Sequence, residues 1–280
     1  MAHPQIAAFA RLAKPSEPPR RSIAGQATLL ARTIHDIRYD AIHDEIVVPN
    51  QFAQAILTYR GDSDGEAAPL RVIQGPLTQL VRPDRLDIDP VHNEIVIPNS
   101  DSIPVFARQA NGNVAPLRVI GGPQTLLKGA SSIAVDPVNN LIVAATQGRP
   151  PQGNQNTYTP STNTLVIFGR TDQGDVAPRS VIAGDRTGLH IINQIQIYGP
   201  KGWIIATQST TDTESEPEGV FVGVWSIRDN GDIPPRWKIA GPKSRLKKPR
   251  GVALNPRDKE LIVADMPQNA VFTYYFPDIF

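Results

Sequence analysis

Short apolar runs rich in Val and Ile alternate along this chain with clusters of Gly, Pro, Asn and Asp, and the alternation returns about every 47 residues. APLRVI stands at Ala68–Ile73 and again at Ala115–Ile120. Ile6–Leu30 aligns without gaps on Ile103–Leu127, with 12 of 25 positions identical. The shared pattern is an apolar stretch ending Phe-x-Arg, a polar turn, Pro-x-Arg-x-Ile-x-Gly and Thr-x-Leu. It returns around Phe168, Pro178, Ile182, Gly184 and Thr187, and more loosely around Trp225, Pro235, Ile239, Gly241 and Ser244. A second half reads I-x-V-D-P-x-x-N-x-I-V-V. It appears at Asp36–Asn50, Arg85–Asn99, Ser132–Thr146, Gln194–Gln208 and Gly251–Asp265.

Each unit holds four runs of β-branched residues bounded by turn formers, which read as strands a, b, c and d. No window keeps a 3.6-residue period, so helices should be scarce. Four strands in 40–50 residues is the pattern of a propeller blade, and stacking between blades explains apolar residues on both strand faces. The fold class expected is therefore all-β, a single β-propeller domain over 1–280 of four-stranded antiparallel blades, with strand a innermost. The chain carries five a–b pairs, six c strands and five d strands. Five blades closed by a terminal clasp follow if the N-terminal d strand, and its c strand with it, joins the last a–b pair. One c strand is then left over. A six-bladed ring, or a piece of a longer propeller, are the alternatives.

The residues Ile133–Ala144 (IAVDPVNNLIVA) and Pro98–Phe106 (PNSDSIPVF) carry a resemblance to the NHL repeat family and the related bacterial YVTN-type propellers. That resemblance covers nearly the whole chain and implies architecture. Such families include protein- and RNA-binding platforms, lactonase-like hydrolases and lyases, so fold kinship alone names no activity. The Pro-x-Arg-x-Ile-x-Gly element on strand d departs from typical NHL repeats.

Alternating strand directions bring the d–a and b–c loops to one face. The two long insertions, Gly148–Thr162 and Ser209–Gly219, are b–c loops, so any site is expected on that face. The d–a loops lead into strand a and should rim a central channel. Rim positions vary in polarity between repeats while the Ile and Val positions do not: packing does not dictate them. The candidate binding residues are His35, Asp36, Arg38, Asp84, Arg85, Asp87, Ser131, Asn193, Gln194, Gln196 and Arg250. Arg38, Arg85 and Arg250 would be anion contacts beside Asp84 and Asp87. A water-filled, hydrogen-bonded channel is the plainer reading of the same residues. His43 and His92 sit at equivalent a–b turns and look like repeated turn residues.

Composition narrows the chemistry. There is no Cys, which removes disulfides and thiolate chemistry. Net charge is +1, so no general attraction to nucleic acid or an anionic membrane is expected. No stretch approaches the roughly 18 apolar residues of a membrane span. The basic run Lys243–Arg250 reads as a solvated loop. Catalytic signatures such as Gly-x-Ser-x-Gly, His-Glu-x-x-His or a phosphate loop do not occur, and no cofactor or metal is expected. The leading expectation is a non-enzymatic binding scaffold for a protein, peptide or glycan. The runner-up is a lactonase-like hydrolase or lyase at the channel mouth, which would need His35, Asp84, Asn193 and His190 to converge. Oligomeric state is not legible. An exported location would require an upstream signal that this stretch does not show.

Overall fold

The repeat folds as the pattern predicts. The computed structural model describes residues 4–32, 34–146, 163–210 and 219–280, and among them it has 21 strands and no α-helix, only single 3-10 turns. The insertion Gly148–Thr162 and most of Ser209–Gly219 lie outside the described residues. No helix among the described residues is long and apolar enough to cross a membrane.

The fold is an all-β propeller of antiparallel blades. Four sheets have four strands in the order a-b-c-d. They are β3–β6 (Arg38–Asp40, Glu45–Asn50, Ala55–Arg60, Arg71–Gln74) and β7–β10 (Asp87–Asp89, Glu94–Val96, Ser102–Ala107, Arg118–Gly121). Then come β11–β14 (Ala130–Asp136, Leu141–Thr146, Thr164–Gly169, Ser180–Ile182) and β15–β18 (Ile191–Tyr198, Trp203–Ser209, Phe221–Ser226, Trp237–Ala240). The fifth blade is a three-stranded a-b-c sheet, β19–β21 (Pro249–Asn255, Glu260–Asp265, Ala270–Tyr275). At the N-terminus β1 (Gln5–Ala8) and β2 (Arg21–Ala24) form a c–d sheet of their own. This places the surplus c strand. The third strand of the last sheet is β21, paired along the whole of β20, and β1 pairs instead with β2.

By contact the chain divides into two compact units, Met1–Asn99 with Pro104–Arg118, and Ser100–Ile103 with Val119–Phe280. In the first, Val47, Ile56 and Ile73 of one blade pack on Ile95, Ile97 and Phe106 of the next. In the second, Val143, Leu165 and Ile167 pack on Ile195, Ile204 and Trp225. Each such side chain withdrawn from water contributes about 1.5–3 kcal/mol.

Every invariant piece of the repeat has a local duty. In the a–b turns, Asp40, Asp89 and Asp136 each accept the backbone N–H groups two and three residues on, at 2.9–3.1 Å. The imidazoles of His43 and His92 close the same turns on Asp40 and Asp89 at 2.8 and 2.7 Å, as repeated turn residues should. After strand d, Thr125 donates its hydroxyl to Gly122 O at 2.6 Å and accepts the N–H of Leu127 at 3.2 Å. Thr28, Thr78, Thr187 and Ser244 do the same. That hydroxyl is fully buried in Thr125, so Thr125→Val, which keeps the shape, leaves the Leu127 N–H without its acceptor, while Gly122 O keeps the Thr125 N–H at 3.2 Å. Stability should fall by about 1–3 kcal/mol, read from the midpoint of urea unfolding.

Successive blades are clipped by the glycine of the c–d turn. Gly112 donates its N–H to Val72 O at 2.6 Å and accepts from Gln74 N at 3.1 Å. Its neighbours Asn111 and Asn113 accept the N–H groups of Val72 and Leu77. Gly65, Gly174 and Gly231 repeat the clip. A φ of +65 to +84° at these four glycines explains the residue type.

The strand-d arginines are structural, and they are paired. Arg71 and Arg108 both donate to Glu45 Oε2, at 2.6 and 2.7 Å, and Arg118 grips Glu94 with two bonds of 2.6 and 2.7 Å. Burial opposes ionisation of Glu45, but its bonds to Arg71 and Arg108 outweigh it and hold the carboxyl below its ordinary value of 4.5. A lowered folded-state pKa stabilises above the unfolded value and loses that contribution as pH falls through the folded one. Unfolding midpoints should therefore drop on acidification below about pH 4.5, and Glu45→Gln should flatten that part of the profile.

Candidate functional site

The rim positions lie where strand a begins, and in three blades that start is irregular. Strand pairing slips between Ala130 and Ser132, between Ile192 and Gln194, and between Pro249 and Gly251. The residues carried in these β-bulges are Ser131, Asn193 and Arg250, equivalent positions of the repeat. A bulge takes one residue out of register and re-aims its side chain. The sequence showed only that these positions escape the apolar pattern; the bulge explains how they do so.

The residue after the first two bulges ties neighbouring blades together. Ser132 Oγ accepts the N–H of Ile195 at 3.1 Å, and Gln194 Oε1 accepts the N–H of Val252 in a short bond. In the other unit the equivalent Asp36 accepts the N–H of Leu86 at 3.1 Å through Oδ2. Equivalent side chains of adjacent blades also meet directly: His35 with Asp84, Arg38 with Asp87 at 2.8 Å, and Arg250 with Asn193 at 3.2 Å. These contacts set the starts of strand a side by side in adjacent blades.

In the first unit the cluster is charged. Arg38 is buried between Asp36 at 2.6 Å and Asp87 at 2.8 Å. Burial works against its charge, and the two carboxylates more than offset it, so its pKa lies above the ordinary arginine value. The Nη2 of Arg38 is buried without a protein acceptor. Arg85, also buried, donates to the His35 carbonyl at 2.7 Å. His35 and Asp84 are the exposed members, with side chains 48 % and 34 % accessible, and their Nδ1–carboxylate contact is short.

In the second unit the cluster is neutral apart from Arg250. Asn193 donates to Ser209 Oγ at 2.9 Å and to Pro249 O at 2.8 Å, and accepts from Arg250. Gln196 lies further along β15, half-buried. His190 donates its backbone N–H to Gln208 Oε1 at 2.9 Å. The structure thus brings together His35, Asp36, Arg38, Asp84, Arg85 and Asp87 in one group, and Asn193, Gln194 and Arg250 in another. Among the described residues no group of three or more His, Asp or Glu is placed to hold a metal ion.

The basic run is held from below. The backbone N–H groups of Lys247 and Lys248 both donate to Asp265 Oδ2, a buried carboxylate, at 2.7 and 2.8 Å. Lys243, Arg245 and Lys247 remain exposed.

These features define a β-propeller with a hydrogen-bonded inner rim. No family model matches the chain, and no curated protein matches it.

Proposed function

We propose that this is a non-enzymatic binding propeller that presents its d–a and b–c loop face to a protein, peptide or glycan. The observation that carries this reading is the closure of the first-unit rim by its own ion pairs: Arg38 is neutralised by Asp36 and Asp87. Most candidate side chains are already engaged in holding adjacent a strands, which suits a rigid platform better than a reacting centre. The resemblance to NHL-type platforms points the same way. What the rim leaves open to a ligand is its exposed edge, His35 with Asp84, and the loops around it.

One observation favours the hydrolase reading. An accessible imidazole with Nδ1 on a carboxylate is the pair a general base requires. The two readings separate in one set of measurements. Peptide and glycan arrays should show saturable capture by the purified chain. Removing Gly148–Thr162, which lies outside the described residues, should abolish capture without moving the thermal midpoint. Capture that survives the deletion would take that loop out of the reading. Turnover of ester or lactone substrates that disappears in His35→Ala would overturn the binding function in favour of catalysis.

A further inference from the structure

We propose that Asn111 and Asn230 are sites of spontaneous deamidation gated by the clip between blades: inert while the clip is closed, and converted to isoaspartate once it opens. The inference does not depend on the rim. Asn-Gly occurs twice in the sequence, at Asn111-Gly112 and Asn230-Gly231, and both pairs lie in c–d turns that clip one blade to the next. Both asparagines are exposed, so water reaches them.

The reaction is intramolecular. The backbone nitrogen of the glycine attacks Cγ of the asparagine, and the new C–N bond closes a succinimide. The side-chain nitrogen leaves as ammonia, taking the proton that the backbone nitrogen gives up. Water then opens the ring at one of its two carbonyls, giving aspartate or isoaspartate. Glycine has no Cβ to obstruct the attack. The clip occupies both reacting groups. Gly112 donates its N–H to Val72 O at 2.6 Å, while Asn111 Oδ1 accepts the N–H of Val72 at 2.9 Å. Gly231 donates to Val181 O at 2.6 Å, while Asn230 Oδ1 accepts the N–H of Val181 at 2.9 Å. Nucleophile and carboxamide are thus held against the neighbouring strand d rather than against each other. Ring closure requires a local opening that gives up both bonds.

The two products have opposite consequences. One clip already carries aspartate at this place: Asp64 Oδ1 accepts the N–H of Ser22 at 2.8 Å, and Gly65 donates its N–H to Ser22 O at 2.9 Å. The clip therefore accepts aspartate. Isoaspartate runs the main chain through Cβ and Cγ, which inserts a methylene ahead of the glycine N–H and turns the accepting oxygen into a main-chain carbonyl. The paired contacts on Val72 or Val181 then cannot form together. Conversion to isoaspartate leaves a permanent record that the clip has opened.

The test compares the folded full chain with the capped peptides ARQANGNVAPL and SIRDNGDIPPR, residues 107–117 and 226–236, at the same mildly alkaline pH. Conversion at each asparagine is followed by peptide mapping and by labelling with an isoaspartyl methyltransferase. Both asparagines should convert readily in the peptides and at least about tenfold more slowly in the folded chain. Hydrogen exchange at the Gly112 and Gly231 amides should be slowed by the same factor, because one opening exposes the nitrogen to both reactions. Unfolding in urea should remove the protection. Asn111→Asp should keep the thermal midpoint and the slow exchange at Gly112, whereas the isoaspartate fraction of aged protein should lose that slow exchange. Conversion at the peptide rate in the folded chain, slow conversion beside a freely exchanging glycine amide, or an isoaspartate fraction with Gly112 still protected would overturn the proposal.

Discussion

Arg38→Ala is expected to destabilise the protein by about 3–5 kcal/mol, because it takes a buried guanidinium away from two buried carboxylates. Asp36 and Asp87 are both buried, and each has Arg38 as its cationic partner at 2.6 and 2.8 Å. Asp36 also accepts backbone N–H groups, so its repulsion cannot be relieved by swinging into water without giving up Leu86. Chemical unfolding monitored by far-ultraviolet circular dichroism is the measurement. The exposed pair Arg60–Asp62 is the control: Arg60→Ala should leave the midpoint where it is. Equal effects at the two sites would mean that the inner cluster is as hydrated as the surface. Arg38→Met, with both acids changed to Asn, should recover most of the loss, since the apolar replacement leaves no uncompensated charge.

Gly184→Ala should cost about 2–4 kcal/mol, combining backbone strain with loss of a clip between blades. Gly184 has φ of +127°, and a Cβ built there would sit 2.5 Å from Asp232 Cγ. Asp232 is the clip residue that accepts the N–H of Arg186 at 2.7 Å. Gly241 holds the equivalent place after β18, and among the described residues nothing lies within 4 Å of its added Cβ. Gly241→Ala therefore carries the strain alone. The difference between the two variants in urea midpoints measures the clip; identical losses would show that the clip adds nothing beyond conformation.

The two experiments mark how far the sequence could be read. The strand order was legible because packing and turn chemistry repeat. Asp-Pro-x-x-Asn announced its turn, and the apolar run Ala55–Arg60 between two turns is a strand in the structure. Thr-x-Leu was visible as a motif, but its purpose was not: the hydroxyl contact from Thr125 to Gly122 requires a 3-10 turn that no periodicity encodes. The rim was legible as a set of positions freed from the apolar code. Their contacts were not, because His35 and Asp84, or Arg250 and Asn193, meet only after whole repeats have folded between them. The hold of Asp265 on Lys247 and Lys248 was not legible for the same reason, since the loop it supports lies 17–18 residues earlier. The arginines of strand d recur with the Pro-x-Arg-x-Ile-x-Gly pattern. Their partners Glu45 and Glu94 lie on strand b, and pairing them required the sheet register.

The bulges at Ser131, Asn193 and Arg250 separate two kinds of inheritance within one strand. Residues on either side of each bulge are bound to the register, and a change there disturbs pairing across the sheet. The bulged residue carries no such obligation, so serine, asparagine and arginine occupy the same place in three blades without altering the strands that hold them. Each blade can thus acquire a new inward group by a single substitution while its neighbours keep theirs. A family built on this repeat could diversify what it recognises one blade at a time, with no renegotiation of the fold.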